Sequence, residues 1–261
     1  LSSSICITRE GAVATLALTK AQSRNALSLD LIDALIAAFA RLAGDAAVRV
    51  VVLEAEGPAF CAGHDLKELT AHRGDADAGR RYFETVFERC SALMGAIVGL
   101  PQPVIAAVEG AATAAGCQLV ASCDLAVAGA SARFATPGVN IGLFCSTPAV
   151  ALSRVVAAKH ALEMLLTGDM INAETAARIG LVNRVVPAGE AGRSARTLAG
   201  RIAEKSPAAL RCGKRAFNAQ TALPLDEAYA LASRIMVENL LAADAAEGID
   251  AFLAKRPPKW T

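Results

Sequence analysis

Two stretches of the chain hold the side chains that could do chemistry: EGPAFCAGHDLKEL at residues 56–69 and PVIAAVEGAATAAGCQLVASCDLAVAGASARFATPGVNIGLFCSTP at residues 103–148. In the first, His64 carries an imidazole that titrates near neutral pH, which suits general acid or general base work. In the second, the small residues 110–116 let a backbone come close to a ligand, and residues 117–122 continue as a helix whose free N–H groups face it. Such a turn attracts negative charge. Asn140, Cys145 and Ser146 follow the second loop; Cys145 with His64 would be a nucleophile and a base, but flanked by Leu143 and Phe144 it reads as an inert buried thiol. Asp124 stands at a strand start, and Glu68 reads as a helix-start charge and Glu109 as a strand-end charge.

The elements that must position these residues follow from periodicity. Residues 104–108 are a continuous apolar run between Pro103 and Gly110, the pattern of a strand buried on both faces. Residues 4–9 and 12–18 read as a hairpin turning at Glu10 and Gly11. Ser28 is placed to cap a helix running to Ala43, with Leu31, Leu35, Phe39 and Leu42 at helical spacing, and residues 48–56 form the next strand. Strand, helix and strand in that order predict a right-handed crossover in a parallel sheet, which puts His64 at a carboxyl end, where open α/β sheets hold ligands.

Further along, residues 70–77 read as a polar, mobile loop. Residues 80–98 form a long helix with Tyr82, Val86, Cys90, Leu93 and Ile97 on one face, and residues 149–166 a single amphipathic helix. Gly180 ends a short helix before an edge strand at residues 181–186. From Ala191 onward the pattern is helical, with Ser206 and Pro207 opening one helix and Pro224 standing near the start of another. That region has no strands of its own, so it must cover the core or a neighbour.

At 261 residues the chain is long enough for a sizeable core, and its composition is 54% hydrophobic with only 4% aromatic. A net charge of +1 gives no electrostatic case for nucleic acid or an anionic membrane as partner. The longest uncharged stretches are broken by Pro101, Pro103, Pro137 and Pro148 and read as core, not membrane spans. Seven scattered cysteines, an odd number with no CxxC pair, read as reduced thiols of an intracellular protein; with only three histidines, a metal site is not expected. The N-terminal residues show no basic region followed by an apolar run, so export is not expected.

The motifs CAGHDLKEL (residues 61–69) and AAGCQ (residues 114–118) resemble the two oxyanion loops of the crotonase family, the enoyl-CoA hydratase and isomerase superfamily, and the resemblance extends over nearly the whole chain. It implies an α/β, ClpP/crotonase-like fold of repeated ββα units at residues 1–190, with a helical C-terminal trimerisation region at 191–261. It also implies that the main-chain N–H groups of His64 and Ala115 hold a thioester carbonyl oxygen, donors that survive a change of side chain. Hydratases of the family carry glutamates where this chain has Gln118 and Gly138, and some isomerases and a dehalogenase carry an aspartate where it has Ser146. Glutamine exchanges no proton at neutral pH, and glycine has no side chain to do so.

By the same resemblance, Ala62, His64 and Leu66 border the adenine and pantetheine of coenzyme A, Lys67 lies near its phosphates, and Phe252 and Lys255 reach coenzyme A held by an adjacent subunit of a trimer or dimer of trimers. The phrases GHDLKEL, TAAGCQLVASCD and FATPGVNIGLFCSTP are especially similar to the enoyl-CoA hydratase domain-containing proteins whose animal members are mitochondrial. The expected function is acyl-CoA thioester binding with hydratase-type chemistry, water addition to 2-enoyl-CoA in fatty-acid metabolism, inefficient without the glutamates. No cofactor is expected beyond the coenzyme A of the substrate. A non-catalytic acyl-CoA binder, or a thioester hydrolase or other lyase using His64 or water, is the alternative. The compartment expected is the cytoplasm of a bacterium or the mitochondrial matrix of a eukaryote.

Overall fold

The computed structural model describes residues 4–261. Strands β1 (Ile5–Glu10) and β2 (Val13–Leu18) form the expected hairpin, with Glu10 opposite Val13 and Gly11 in the turn at φ 57°. A turn this tight needs positive φ, which glycine supplies without steric cost. Helix α1 (Leu29–Ala43) starts where Ser28 accepts the Leu31 N–H, and its apolar stripe is buried. Strand β3 (Val50–Ala55) then pairs with β2 in parallel.

From β3 the chain repeats a ββα unit. The first adds β4 (Ala59–Cys61), α2 (Leu66–Ala71) and α3 (Arg80–Val98). The second is β5 (Val104–Val108), β6 (Ala111–Thr113) and α4 (Ala115–Ser122). The third is β7 (Leu125–Gly129), β8 (Arg133–Ala135), a 3-10 turn at Pro137–Ile141 and α5 (Ser146–Val155). After α6 (Ala158–Thr167), β9 (Ile171–Asn172), α7 (Ala173–Arg178) and β10 (Arg184–Val186), the chain closes with α8 (Ala191–Ala203), α9 (Pro207–Gln220), α10 (Leu225–Leu240) and α11 (Ala243–Leu253).

The first strand of each unit enters a six-stranded sheet, β1-β2-β3-β5-β7-β10, and the second enters a smaller one, β4-β6-β8-β9. Both faces of the large sheet are covered: Val51 and Leu53 face the main core, while Val50, Val52, Ile105, Ala107 and Val127 pack under Ala191, Ala195 and Ala199 of α8. That two-sided burial is why β3 and β5 read as unbroken apolar runs. Although α8 falls after residue 190, it is part of this core, and the helices that stand off from it begin at Pro207.

Two expectations are corrected. Residues 149–166 lie in two helices, because Val156 is extended (φ −116°, ψ 138°); α5 then packs on α4 while α6 packs on the 137–141 turn, surfaces one straight helix would not cover. Residues 70–77 are not an irregular loop, since α2 runs to Ala71 and a 3-10 turn follows at His72–Gly74. Asp65 caps α2 by accepting the Lys67 and Glu68 N–H groups, and the His72 ring stacks on Tyr82 at 3.6 Å while its Nδ1 bonds Asp75.

Candidate functional site

The strap at residues 24–27 shapes the first loop. Arg24 and Asn25 both adopt positive φ, 53° and 51°. Buried Asn25 donates its side-chain amide to the carbonyls of Glu56 and Ala59, both at 2.9 Å. The Ala62 N–H donates to Arg24, Leu27 N–H donates to the Gly63 carbonyl, and Asp65 N–H donates to the Leu27 carbonyl. His64 sits between these bonds, and among the described residues its own N–H meets no acceptor.

The second loop is pressed against the first. Gly63 (φ 92°) is so close that a Cβ there would lie 2.9 Å from the Ala114 Cβ and 3.4 Å from the Ala115 nitrogen. At Gly116 a Cβ would come within 2.1 Å of the Cys61 carbonyl, so only hydrogen fits where α4 meets the end of β4. Ala114 is held at φ 50°, ψ −118°, a conformation costly for a residue with a side chain, while its N–H donates to Ala135. Ala115 opens α4, so its N–H has no partner within the helix and meets none elsewhere among the described residues. Two unpaired amides on touching loops, one at a helix start, can hold an oxygen carrying negative charge.

Around them the side chains are neutral. The His64 ring meets Phe87 of α3 edge-on at 5.2 Å, and both ring nitrogens are buried without a hydrogen-bond partner. Burial pushes its pKa below the ordinary 6.5, opposed by the Leu27 carbonyl, which lies near the ring and favours the proton. Phe87 also lines an open cleft of about 810 Å³ with Asp77, Phe83 and Glu84. Gln118, one turn beyond Ala115, is 4% exposed, and its Oε1 has no partner.

Gly138 is buried in the 3-10 turn, where a Cβ would stand 2.5 Å from the Leu143 carbonyl and 2.8 Å from the Cys145 sulfur. A carboxylate therefore cannot be placed there unless residues 143–145 move. Burial raises the pKa of the Cys145 thiol, which stays protonated as its apolar flanks predicted. Ser146 begins α5 at the surface with its hydroxyl donated to the Phe144 carbonyl at 3.3 Å. The carboxylates nearest in sequence are engaged: Glu68 accepts the Leu29 N–H at the start of α1, and Glu109 accepts the Ala191 N–H at the start of α8.

Ala62 is half-buried against the strap, and Leu66 and Lys67 are exposed at the start of α2. Phe252 is 82% exposed on α11, and Lys255 closes that helix at φ 52°. As α11 packs on α9 and α10, the single chain does not bring these two residues to the loops. Sequence reasoning passed over Asn25, Phe87 and the contact at Gly116. Of these only Asn25 left a signal, an asparagine before an N-cap being a residue type that tolerates positive φ.

A family model described as enoyl-CoA hydratase/isomerase matches residues 8–261, and the chain belongs to that family, with its crotonase fold. Over 253 residues it is 47% identical to the mitochondrial enoyl-CoA hydratase domain-containing protein 3 of Rattus norvegicus, covering 97% of this chain and 83% of that protein. It is also similar to the crystal structure of an enoyl-CoA hydratase from Mycobacterium smegmatis, with a TM-score of 0.94, 49% identity and 99% of each chain covered. The crystal structure of human enoyl coenzyme A hydratase domain-containing protein 3 gives a TM-score of 0.93 at 46% identity, covering 98% of this chain and all of that one.

Proposed function

We propose that this chain binds acyl groups carried as coenzyme A thioesters and polarises the thioester carbonyl between the main-chain N–H groups of His64 and Ala115. The observation that carries this reading is the pair of unpaired amides on touching loops in a member of this family. Each such donor contributes ~3 kcal/mol where negative charge grows on the oxygen, as it does when a nucleophile adds to an enoyl thioester. Proton transfer is the weak half of the site. Gln118 and Gly138 offer no acid or base, and Glu68 and Glu109 are held by helix N-termini. Water addition to 2-enoyl-CoA is therefore slow, and the lack of a carboxylate at positions 118 and 138 favours, as a second reading, a non-catalytic acyl-CoA binder. The unpaired His64 nitrogens leave thioester hydrolysis as the other chemistry open to this site.

In this reading Ala62, His64, Leu66 and Lys67 follow the adenine, pantetheine and phosphates of coenzyme A, and Phe252 and Lys255 serve the site of an adjacent subunit. The exposed apolar residues Leu225, Tyr229, Met236, Leu241 and Phe252 support burial of the C-terminal helices in a trimer or dimer of trimers. No cofactor beyond the substrate's coenzyme A is required. Among the described residues no helix is long and apolar enough to cross a membrane. The compartment proposed is bacterial cytoplasm or mitochondrial matrix.

The test is loss of enoyl-thioester absorbance with crotonyl-CoA, beside calorimetric binding of the same ligand. Wild type should bind and turn over slowly, and Gln118→Glu, nearly isosteric, should speed hydration by about 10²-fold or more if one restored acid suffices. A wild type as fast as an efficient hydratase would overturn the reading, as would absence of binding.

A further inference from the structure

The last helix ends on a residue that has to be held in place. Lys255 stands at φ 52° where α11 closes, with the Arg256 N–H donating back to the Ala251 carbonyl. That left-handed position usually falls to glycine, and a residue with a side chain is strained there. Apolar packing does not hold it: among the described residues none beyond Ala203 belongs to the apolar clusters on either face of the large sheet, and α11 buries only Asp244 and Ala251. Strained residues persist where their surroundings over-determine them, and they collect at functional sites.

A polar brace supplies the hold. Arg256 forks onto Glu247 at 2.6 and 2.8 Å, and the Lys259 N–H donates to the same carboxylate at 2.7 Å. Thr261 donates its N–H and its hydroxyl to buried Asp244, which also accepts the Ser206 hydroxyl. The Trp260 ring lies against Gly248, where a Cβ would stand 3.2 Å from it, and its Nε1–H donates to the Glu204 carbonyl at 2.8 Å. Glu204 directly follows α8, whose alanines pack on the large sheet, so this bond ties the end of α11 to the core. We infer that Trp260, Asp244 and Glu247 are positioning residues: their brace fixes the end of α11 so that Phe252 and Lys255 are presented to the nucleotide portion of coenzyme A in an adjacent subunit. This rests on the reading that the chain binds acyl-CoA as an oligomer. Phe252 is 82% exposed and Lys255 is exposed beside it, and an aromatic face with an ammonium suits an adenine and its phosphates. A helix end fixed before binding loses less freedom when the ligand arrives.

The experiment is equilibrium dialysis of the full chain against crotonyl-CoA and against crotonyl-pantetheine, which keeps the thioester and lacks the nucleotide. Wild type is compared with Trp260→Phe, which keeps a ring over Gly248 and deletes the N–H, and with Asp244→Asn. Melting curves and sedimentation establish that each is folded with the wild-type mass; should one variant fail, the other carries the comparison. Each should weaken crotonyl-CoA by about ten-fold and leave crotonyl-pantetheine within about two-fold of wild type. In a chain already carrying Phe252→Ala and Lys255→Ala, adding Trp260→Phe should change nothing further, because the brace acts through those two side chains. Equal losses for both ligands, no loss for either, or losses that add in that background overturn the inference and leave thioester binding standing, as does a wild type that sediments as a monomer. A wild type that binds neither ligand overturns both.

Discussion

Two polar clusters sit at opposite ends of strands in this molecule, and they are finished differently. At the amino end of β5, the Lys214 side chain is 7% exposed and donates to the carbonyls of Ile97 and Gln102 at 3.1 Å and to Asp124 at 2.7 Å, while Asp124 also accepts the Val104 N–H. Every donor of that ammonium is used. At the carboxyl ends of β4 and β6, two amides and the side chains of His64 and Gln118 are left incomplete. A closed cluster leaves none of its buried charges unpaired and has nothing left to offer a ligand. An open one is costly to the fold and is kept where something else completes it.

The strongest way to break that contrast is Lys214→Met. It leaves Asp124 part-buried with one N–H partner, and unfolding free energy should fall by about 3 kcal/mol at neutral pH, measured from urea midpoints. Burial raises the pKa of Asp124 even with Lys214 opposing it, and removal of Lys214 raises it further. A carboxyl whose folded pKa lies above its unfolded value is destabilising above both and is relieved as the proton binds. The variant's deficit should therefore shrink as pH falls toward about 4. A deficit that is the same at both pH values would show that the lost packing of the lysine stem, not its charge, matters.

At the open cluster the corresponding change is Ala115→Pro, which deletes one N–H. Proline suits the first residue of a helix but restricts Ala114 before it, so some stability should be lost, while thioester turnover of the folded variant drops by about 10²–10³ and Ala115→Gly stays near wild type. Equal rates in the two variants, both folded by circular dichroism, would remove this amide from the site.

The contrast also explains what the sequence could and could not disclose. Small residues mark where backbones approach closely, so the turns at residues 61–66 and 114–118 were legible as close contacts, as were the hairpin, α1, the 80–98 helix and the buried strands. Lys214 was not. In sequence it is a basic residue on an amphipathic helix, and its burial depends on where α9 crosses the ends of α3 and β5. The break at Val156 escaped for the same reason, since it is set by packing partners distant in the chain. The room denied to a side chain at Gly138 comes from Leu143 and Cys145, which nothing in local spacing announces.

Closing the open cluster should strengthen the fold. Gln118→Leu removes an unpaired buried acceptor at nearly constant volume, and it should raise unfolding free energy by about 1–2 kcal/mol in ligand-free protein. A destabilised Gln118→Leu would mean that the carboxamide is already satisfied in the free protein, and the contrast between the clusters would weaken.

The smallest effect expected is at Ala114, where the strain is in the backbone. Its φ of 50° with ψ of −118° costs a residue with a Cβ about 1–3 kcal/mol, and that conformation turns the chain so that the Ala115 N–H emerges beside Gly63. Ala114→Gly removes the steric part of the strain and adds about 0.4–1 kcal/mol of unfolded-state entropy against folding, so the net should be a gain of about 1 kcal/mol. The midpoint of urea unfolding should rise with the slope unchanged, and thioester affinity should hold because the Ala114 N–H to Ala135 bond remains available. A fall in stability would show that the Ala114 methyl, packed against Gly63, stabilises the turn by more than its strain costs. The loops would then be held together by side-chain contact as much as by backbone, and the main-chain donors would be less independent of sequence than the contrast requires.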